Sequence, residues 1–309
     1  MKCISCGGQF FKEYLDYIDL KLIRCQECRL IFLDKIPPDE ALEDYYREDF
    51  YDDKESERFN SFFEKILKLS RYLRVLAITC FCKKTGKMID VGFSRGTTMK
   101  MLEARGWEVF GTQISPIAYK NARKKGLNVF LGEIKYAGIA PKSRDLVTFW
   151  HVLEHVKDPG EYIKETNRLL KDSGKLIIEI PNIASPIAKI FGKKWFGLDL
   201  PRHIYHFSPE SLKHILIDNG FCIVKERYFS LDQSIFSLLQ CILNLFNHRN
   251  NVLFSSIKKN AKIGFFPAFY NWLLAAIFLV PSLLIAPLMG FLRCGDIMRV
   301  YCIKVNDSN

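Results

Sequence analysis

No apolar leader opens the 309-residue sequence: MKCISCGGQFF contains nothing resembling the hydrophobic core of a secretory signal peptide, and none is expected. Cysteine is too scarce for a disulfide-stapled scaffold. There are ten in all, and the first four fall in two tight pairs, the pattern of a metal site in a reducing compartment. A cytoplasmic protein is therefore expected. Internal repeats and low-complexity linkers are absent, which excludes a solenoid or a long tether. Charge is missing altogether between Ile263 and Leu292, in a chain that otherwise carries a net charge of +11. That excess fits nucleic acid, an anionic membrane surface or a negatively charged substrate. Nucleic acid is not expected, because residues 1 to 35 mix Lys and Arg with Asp and Glu and form no basic stripe.

Cys3-x2-Cys6 and Cys25-x2-Cys28 have the spacing that brings two knuckles around one tetrahedral Zn²⁺, and Gly7 and Gly8 supply the permissive backbone the first knuckle needs. Four sulfurs imply a closed structural site. A zinc ribbon is expected over 1 to 36, followed by a helical linker over 37 to 84. In that linker Asp39 caps a short acidic helix ending near Tyr46. A second helix spans 55 to 78, with Phe59, Phe62, Ile66, Leu69, Leu73 and Leu76 as a core-facing stripe.

From Lys87 short apolar runs alternate with capped helices, which predicts βα units and a doubly wound, Rossmann-like α/β sheet. Five strands are placed at 87 to 91, 107 to 112, 127 to 131, 145 to 150 and 175 to 180, a sixth at 221 to 228 and a seventh at 298 to 305. Ser115-Pro116, Asp158-Pro159 and Ser208-Pro209 mark helix starts, and Gly126 and Gly220 mark stops. This domain covers 85 to 230 and 296 to 309, interrupted by an apolar helical insertion at 231 to 295.

A helix over the uncharged run would reach ~45 Å against a hydrocarbon core of ~30 Å, and Pro281 and Pro287 interrupt it. Both ends of the insertion must return to one soluble sheet. An interfacial or re-entrant hairpin is expected rather than a single span, held at the inner face of the cytoplasmic membrane by Lys258, Lys259, Lys262 and Arg293. A buried helical pair or a dimer interface fits the same apolar run.

Met88-Ile89-Asp90-Val91-Gly92-Phe93-Ser94-Arg95-Gly96 has the strand, tight turn and helix start of a nucleotide-type cofactor site. These residues resemble motif I of class I S-adenosylmethionine-dependent methyltransferases, where an acidic residue opens a glycine-rich loop around the methionine part of the cofactor. The likeness continues in order through Val109 to Pro116, the adenine-side turn Gly132-Glu133-Ile134, DLVTFWHVLEHV at 145 to 156, and Arg168 to Asn182. The ribbon, Tyr45-Tyr46 and Asp199 to Phe207 are similar to a zinc-ribbon-bearing bacterial subgroup, methyltransferase type 11/23-like. The resemblance implies S-adenosylmethionine held by Asp90, Gly92, Ser94, Gly96, Gln113, Ile114, Glu133, Ile134, Trp150 and His151. It implies structural Zn²⁺ on the four cysteines.

Gln113 stands where the family carries a ribose-binding carboxylate, and Ser94 replaces the middle glycine, so weakened cofactor affinity is expected. His203, His206 and His155 are the candidate proton acceptors, the first two in a long loop after the fifth strand, where such folds build acceptor pockets. Loop histidines that merely bond backbone groups fit as well, and Trp195 and Phe196 either line that pocket or anchor the loop. His151-x-x-Glu154-His155 also spells an inverted zinc-protease pattern, which would need the middle of a helix. The expected function is methyl transfer to a small-molecule or lipid-linked acceptor, in a setting such as cell-envelope glycan or isoprenoid metabolism. The alternative is a catalytically degenerate, membrane-docked scaffold of the same fold. The sequence leaves the oligomeric state open.

Overall fold

The computed structural model describes residues 2–38, 61–258 and 263–305. The Tyr45-Tyr46 helix and the first part of the 55 to 78 helix, like Lys259 and Lys262, lie outside the described residues. The chain begins with three antiparallel strands, β1 (Phe11–Tyr17), β2 (Leu20–Cys25) and β3 (Ile31–Leu33), which carry the cysteine knuckles. Helix α1 (Ser61–Cys82) leads into β4 (Lys87–Val91), α2 (Thr97–Glu103), β5 (Glu108–Gln113), α3 (Pro116–Lys124) and β6 (Val129–Leu131). Then come β7 (Arg144–Trp150), α4 (Pro159–Leu169), β8 (Leu170–Pro181), α5 (Pro186–Phe191), β9 (Tyr205–His206), α6 (Pro209–Asp218) and β10 (Phe221–Arg227). The insertion comprises α7 (Ser234–Leu245), α8 (Val252–Ile257) and α9 (Phe265–Phe291), and β11 (Ile297–Lys304) ends the fold.

Seven strands form one sheet in the order β10-β11-β8-β7-β4-β5-β6. The five from β4 to β8 run parallel, and β11 lies antiparallel between β8 and β10. Successive residues of β4, β7 and β8 point to opposite faces, and both sets are buried: Ile89, Val147 and Ile178 in one cluster, Met88, Leu146 and Ile177 in the other. Strands covered on both sides read as continuous apolar runs, which is why they were visible in sequence. The expected side-chain caps are present: Ser115, Asp158 and Ser208 each accept a backbone N–H of the helix they open.

Two expectations need correction. Leu69, Leu73 and Leu76 of α1 are exposed, whereas Ser70, Val75 and Ile78 are buried. The helix is turned from its apolar stripe because Arg74 reaches inward to the buried Glu179. The segment holding His203 and His206 is not simply a loop. Tyr205–His206 is the fourth strand of the ribbon sheet, pairing with β3 through Ile31↔His206 and Phe32↔Tyr205.

The uncharged run, expected to turn back on itself as a hairpin, is instead one unbroken helix. Helix α9 runs 27 residues through Pro281 and Pro287, about 40 Å. It packs antiparallel on α7, Ala275 beside Leu239 and Leu243, and Ala286 beside Leu238 and Cys241. Only Asn271, Ala275, Ser282 and Ala286 of α9 are buried. Leu273, Ile277, Val280, Leu284, Leu288 and Phe291 face outward at helical spacing. Among the described residues, α9 is the one helix long and apolar enough to cross a membrane by length and composition.

Phe32 lies in the buried cluster that the ribbon strands share with the large sheet, and its ring stands 5.7 Å from Phe11 and 6.0 Å from Tyr205 within the ribbon. Replacing it with alanine opens a cavity where ribbon and large sheet meet. Phe32→Ala is expected to cost about 3–5 kcal/mol in denaturant unfolding, as one transition that shifts ribbon and sheet together. Separate ribbon and sheet transitions would contradict this coupling.

Candidate cofactor site and the adjoining histidine cluster

The carboxyl ends of β4, β5, β6 and β7 lie side by side, which brings Asp90, the Gly92–Gly96 turn, Gln113, the Gly132–Ile134 turn and Trp150–His151 to one edge of the sheet. Asp90 is buried and accepts a 2.9 Å hydrogen bond from Thr148 Oγ1. Burial, with Thr148 and Arg74 offsetting only part of it, pushes its carboxyl up to about 6. Gly92 sits at φ 69°, and a Cβ there would come within 2.5 Å of Val152 Cγ2. Gly96, at φ 71°, has Leu127 against the same position. Ser94 adopts φ 53°, a left-handed conformation disfavoured for a residue with a side chain, and that side chain is exposed.

Gln113 is buried at the end of β5, and its Oε1 accepts from the amides of Ile114 (3.0 Å) and Ser115 (3.3 Å). The single carbonyl oxygen is thus committed to the turn. Ile114, next in the chain, is 58% exposed. Ile134 is buried and anchors its turn, while the Glu133 carboxylate stands 3.4 Å from Lys135 Nζ. A pocket of ≈ 460 Å³ lined by Phe110, Asn128, Ile139 and Arg144 lies at the opposite, amino end of the strands, away from these residues.

Behind Trp150 is a buried ionic cluster that no motif announced. Glu179 of β8 has no exposure and pairs with Arg299 of β11 through both Nη2 and Nε, the latter at 2.7 Å. Arg74 of α1 reaches it at 3.2 Å, Ser230 Oγ at 3.3 Å and His151 Nε2 at 3.4 Å. Both guanidinium groups lie over the Trp150 ring, 4.9 Å and 5.1 Å from its centroid. Burial would push Glu179 up, but Arg299, Arg74 and His151 outweigh it and hold the carboxyl far below the usual range. Burial likewise opposes the charge on His151, yet Glu154 and Glu179 raise it to about 9, so the ring is an imidazolium at neutral pH.

His155, His203 and His206 come together next to Glu154. The rings of His155 and His203 are 4.7 Å apart, and those of His203 and His206 6.1 Å. Each bonds a backbone carbonyl: His155 to Arg202, His203 to Gly197 and His206 to Leu198. Burial lowers all three, His203 to about 3 and His206 to about 4, and so keeps them neutral. His203 and His206 are buried, and His155 keeps a partly exposed edge. The turn from His151 to His155 is not helical, as the inverted-protease pattern would require. Trp195 is buried against the insertion and anchors its segment.

In the ribbon, the Sγ atoms of Cys3 and Cys28 are 3.5 Å apart and those of Cys6 and Cys25 3.6 Å, close to the ~3.8 Å edge of a ZnS₄ tetrahedron. All four sulfurs lie within 4.8 Å of one another, an arrangement compatible with Zn²⁺.

The family model described as "Methyltransferase domain" matches residues 55–226, more than half of the chain. The chain belongs to that family. This methyltransferase domain is 30% identical over 146 residues to a ubiquinone biosynthesis O-methyltransferase of Nitrosomonas europaea, a match covering 43% of this chain and 62% of that protein. It is also 30% identical over 132 residues to a protein of the same name from Xanthomonas oryzae pv. oryzae, covering 39% and 54%. The chain thus spans little more than half the length of these relatives. Among solved structures, a SAM dependent methyltransferase from Archaeoglobus fulgidus superposes with a TM-score of 0.51 at 22% identity, covering 79% of this chain and 98% of that one. That likeness is one of fold.

Within the methyltransferase domain, Asp90 is held at a cost to stability. A carboxyl raised from 3.8 to about 6 contributes fully to stability below its unfolded pKa, and the contribution is lost as pH rises through 6. Asp90→Asn keeps the acceptor for Thr148 and cannot ionise. It is expected to be more stable than the native protein at pH 7.5, by up to about 3 kcal/mol in urea unfolding, with the difference gone near pH 4. A variant no more stable at either pH would contradict the burial argument.

Proposed function

We propose that the chain transfers the sulfonium methyl of S-adenosylmethionine to a small-molecule or lipid-linked acceptor at the inner face of a membrane, with structural Zn²⁺ in its ribbon. The observation that carries this reading is the convergence of Asp90, the Gly92–Gly96 turn and Gln113 at one sheet edge of a domain that belongs to a methyltransferase family. In-line displacement from a sulfonium asks chiefly for positioning and exclusion of water. Asp90 and the turn hold the methionine end, Gln113 and Ile114 the nucleoside, Glu133 and Ile134 the adenine-side turn, and Trp150 and His151 the floor. The acceptor side is the cluster of His155, His203 and His206; burial makes His203 and His206 weak bases, and His155, with its partly exposed edge, is the ring proposed to take the proton. The relatives' printed name places their chemistry on an oxygen, and an oxygen acceptor is the class we favour here.

Calorimetric titration with S-adenosylmethionine tests the core of this reading, with saturable binding expected. No heat at millimolar ligand would leave the degenerate scaffold in its place. Gln113→Glu retains an oxygen for the turn amides and adds a charge-assisted acceptor for the ribose hydroxyls. It is expected to tighten binding about tenfold, and Gln113→Ala to weaken it by a similar factor.

Membrane association draws on α9. Asn271 near one end pairs with Asn247 at 3.0 Å, and Ala286 near the other is buried beside Trp195 and Ile187, so the helix lies along the soluble body rather than leaving it. An outward apolar stripe along the side of the body, with Lys258 before it and Arg293 after it, supports an interfacial rather than a spanning placement. The protein is expected to float with anionic vesicles, and Val280→Glu with Leu284→Glu to abolish flotation. A native protein that stays monomeric in solution and does not float would overturn this, as would a dimer whose dissociation follows the same two substitutions.

A further inference from the structure

We propose that Asp296, Ser237 and Trp195 form a slot at the root of the insertion that holds an uncharged hydroxyl group of the acceptor. Assigning that hydroxyl to a methyl acceptor rests on the function proposed above. Its binding does not.

Asp296 follows α9 and leads into β11, and its backbone carbonyl accepts the Asn182 amide at 2.8 Å, so it stands at the carboxyl end of β8. The Asn182 side chain pins the same turn by donating to the Gly295 carbonyl at 2.9 Å. Although Asp296 is buried, Ser237 of α7 donates its hydroxyl to Oδ2 and so fixes the carboxyl from the insertion side. Trp195 faces the same carboxyl from the segment after α5, and the charge of His151 acts on it from the Trp150–His151 end of the candidate site. The rings of Trp195 and His206 are 6.4 Å apart, which places the slot beside the histidine cluster as well.

Two polar atoms in this arrangement lack partners. Oδ1 of Asp296 and Nε1 of Trp195 are each buried without a hydrogen bond among the described residues, although the two side chains face one another. Leaving either group unpaired out of water costs about 1–3 kcal/mol. Burial raises the carboxyl only to about 6, so above neutral pH it is ionised and accepts, whereas an indole N–H only donates. A single group that satisfies both must donate to the carboxylate and accept from the indole, and a hydroxyl does so with one oxygen. An anionic group has no proton for Asp296 and is repelled by it, while an ammonium has no lone pair for the indole. Leu198, Leu238 and Cys241 surround Trp195 with apolar surface, which adds a desolvation cost against any charged group. The slot therefore selects an acceptor that carries a free, neutral hydroxyl and rejects one that presents a carboxylate or phosphate there.

The test uses the full chain at mildly alkaline pH without S-adenosylmethionine, titrated with phenol, toluene and benzoate while its indole N–H resonances are followed. The four tryptophans give four such signals, and Trp195→Phe assigns the relevant one by removing it. Phenol is expected to shift the Trp195 signal saturably at millimolar concentration. Toluene has the same shape without the hydroxyl, and benzoate carries a charge in its place, so both should bind at least about tenfold more weakly. Asp296→Asn keeps an oxygen for Ser237 but turns an amide N–H towards the indole. It should weaken phenol binding about tenfold while the other three signals stay in place. The proposal is overturned if phenol leaves the Trp195 signal unmoved, as a slot that holds only a buried water would, or if toluene or benzoate moves it as readily. A folded Asp296→Asn that binds phenol as the native protein does would overturn it too. The three probes are compared on the native protein, so that comparison decides even where Asp296→Asn does not fold. Cofactor binding is measured separately by calorimetry, which keeps a failure of the slot distinct from a failure of the methyltransferase reading.

Discussion

A carboxylate sealed from water in the middle of β8 governs what is built around it. Removing Glu179 from solvent costs several kcal/mol by itself, which only close, well-directed partners can offset. Those partners come from distant parts of the chain: Arg299 from the last strand, Arg74 from the helix before the first parallel strand, and His151 from the turn after β7. Both guanidinium groups also lie against the ring of Trp150 at the end of β7. The demand also explains the rotation of α1, whose leucines at 69, 73 and 76 remain outside so that Arg74 can turn in. From His151 the contacts continue to Glu154, whose own carbonyl accepts the amides of Ile204 and Tyr205, at 2.8 Å and 3.2 Å. Tyr205 belongs to the strand that completes the ribbon sheet. The ribbon is thereby tied to the site through a continuous polar path.

The cofactor edge has the opposite character, because there the chain holds unfavourable groups in place. Asp90 is buried with one hydroxyl for company, Ser94 occupies a left-handed conformation, and two glycines sit where a side chain would collide. None of this helps the fold. Strain and an under-solvated carboxylate concentrated at one turn are features that a bound ligand can relieve.

The parallel strands, their caps and the cysteine knuckles were legible because each is dictated within a few residues: burial on both faces makes apolar runs, and a serine before a proline caps a helix. The motif I turn and Gln113 were legible for the same reason. The two-residue strand β9 was not, since Tyr205 and His206 bear no periodicity and acquire their partner only when the ribbon docks. Glu179 was visible as a letter inside an apolar strand, but Arg74 and Arg299 lie 105 and 120 positions away. Helix α9 defeated a local rule. Two prolines should interrupt an isolated helix. Packing along α7, with the Ser282 hydroxyl donating to the Phe278 carbonyl at 2.8 Å, keeps it continuous.

The wall between α9 and the histidines is one layer thick. Gly197 and Leu198 offer their carbonyls to His203 and His206, while Trp195 and Leu198 turn their side chains into the cluster that holds Ala286 and Met289 of α9. The same short segment therefore backs the polar cluster on one side and the apolar insertion on the other. A purely structural anchor would gain nothing from sharing a wall with titratable groups, since each buried imidazole nearby adds a desolvation cost. Sharing it is useful if the acceptor carries an apolar tail, because the tail can remain with lipid while its head reaches the histidines across a single layer of side chains. Under the proposed function, the insertion would set the distance between the bilayer and the reacting methyl, and the ribbon, by pairing β3 with β9, would hold the wall that fixes it.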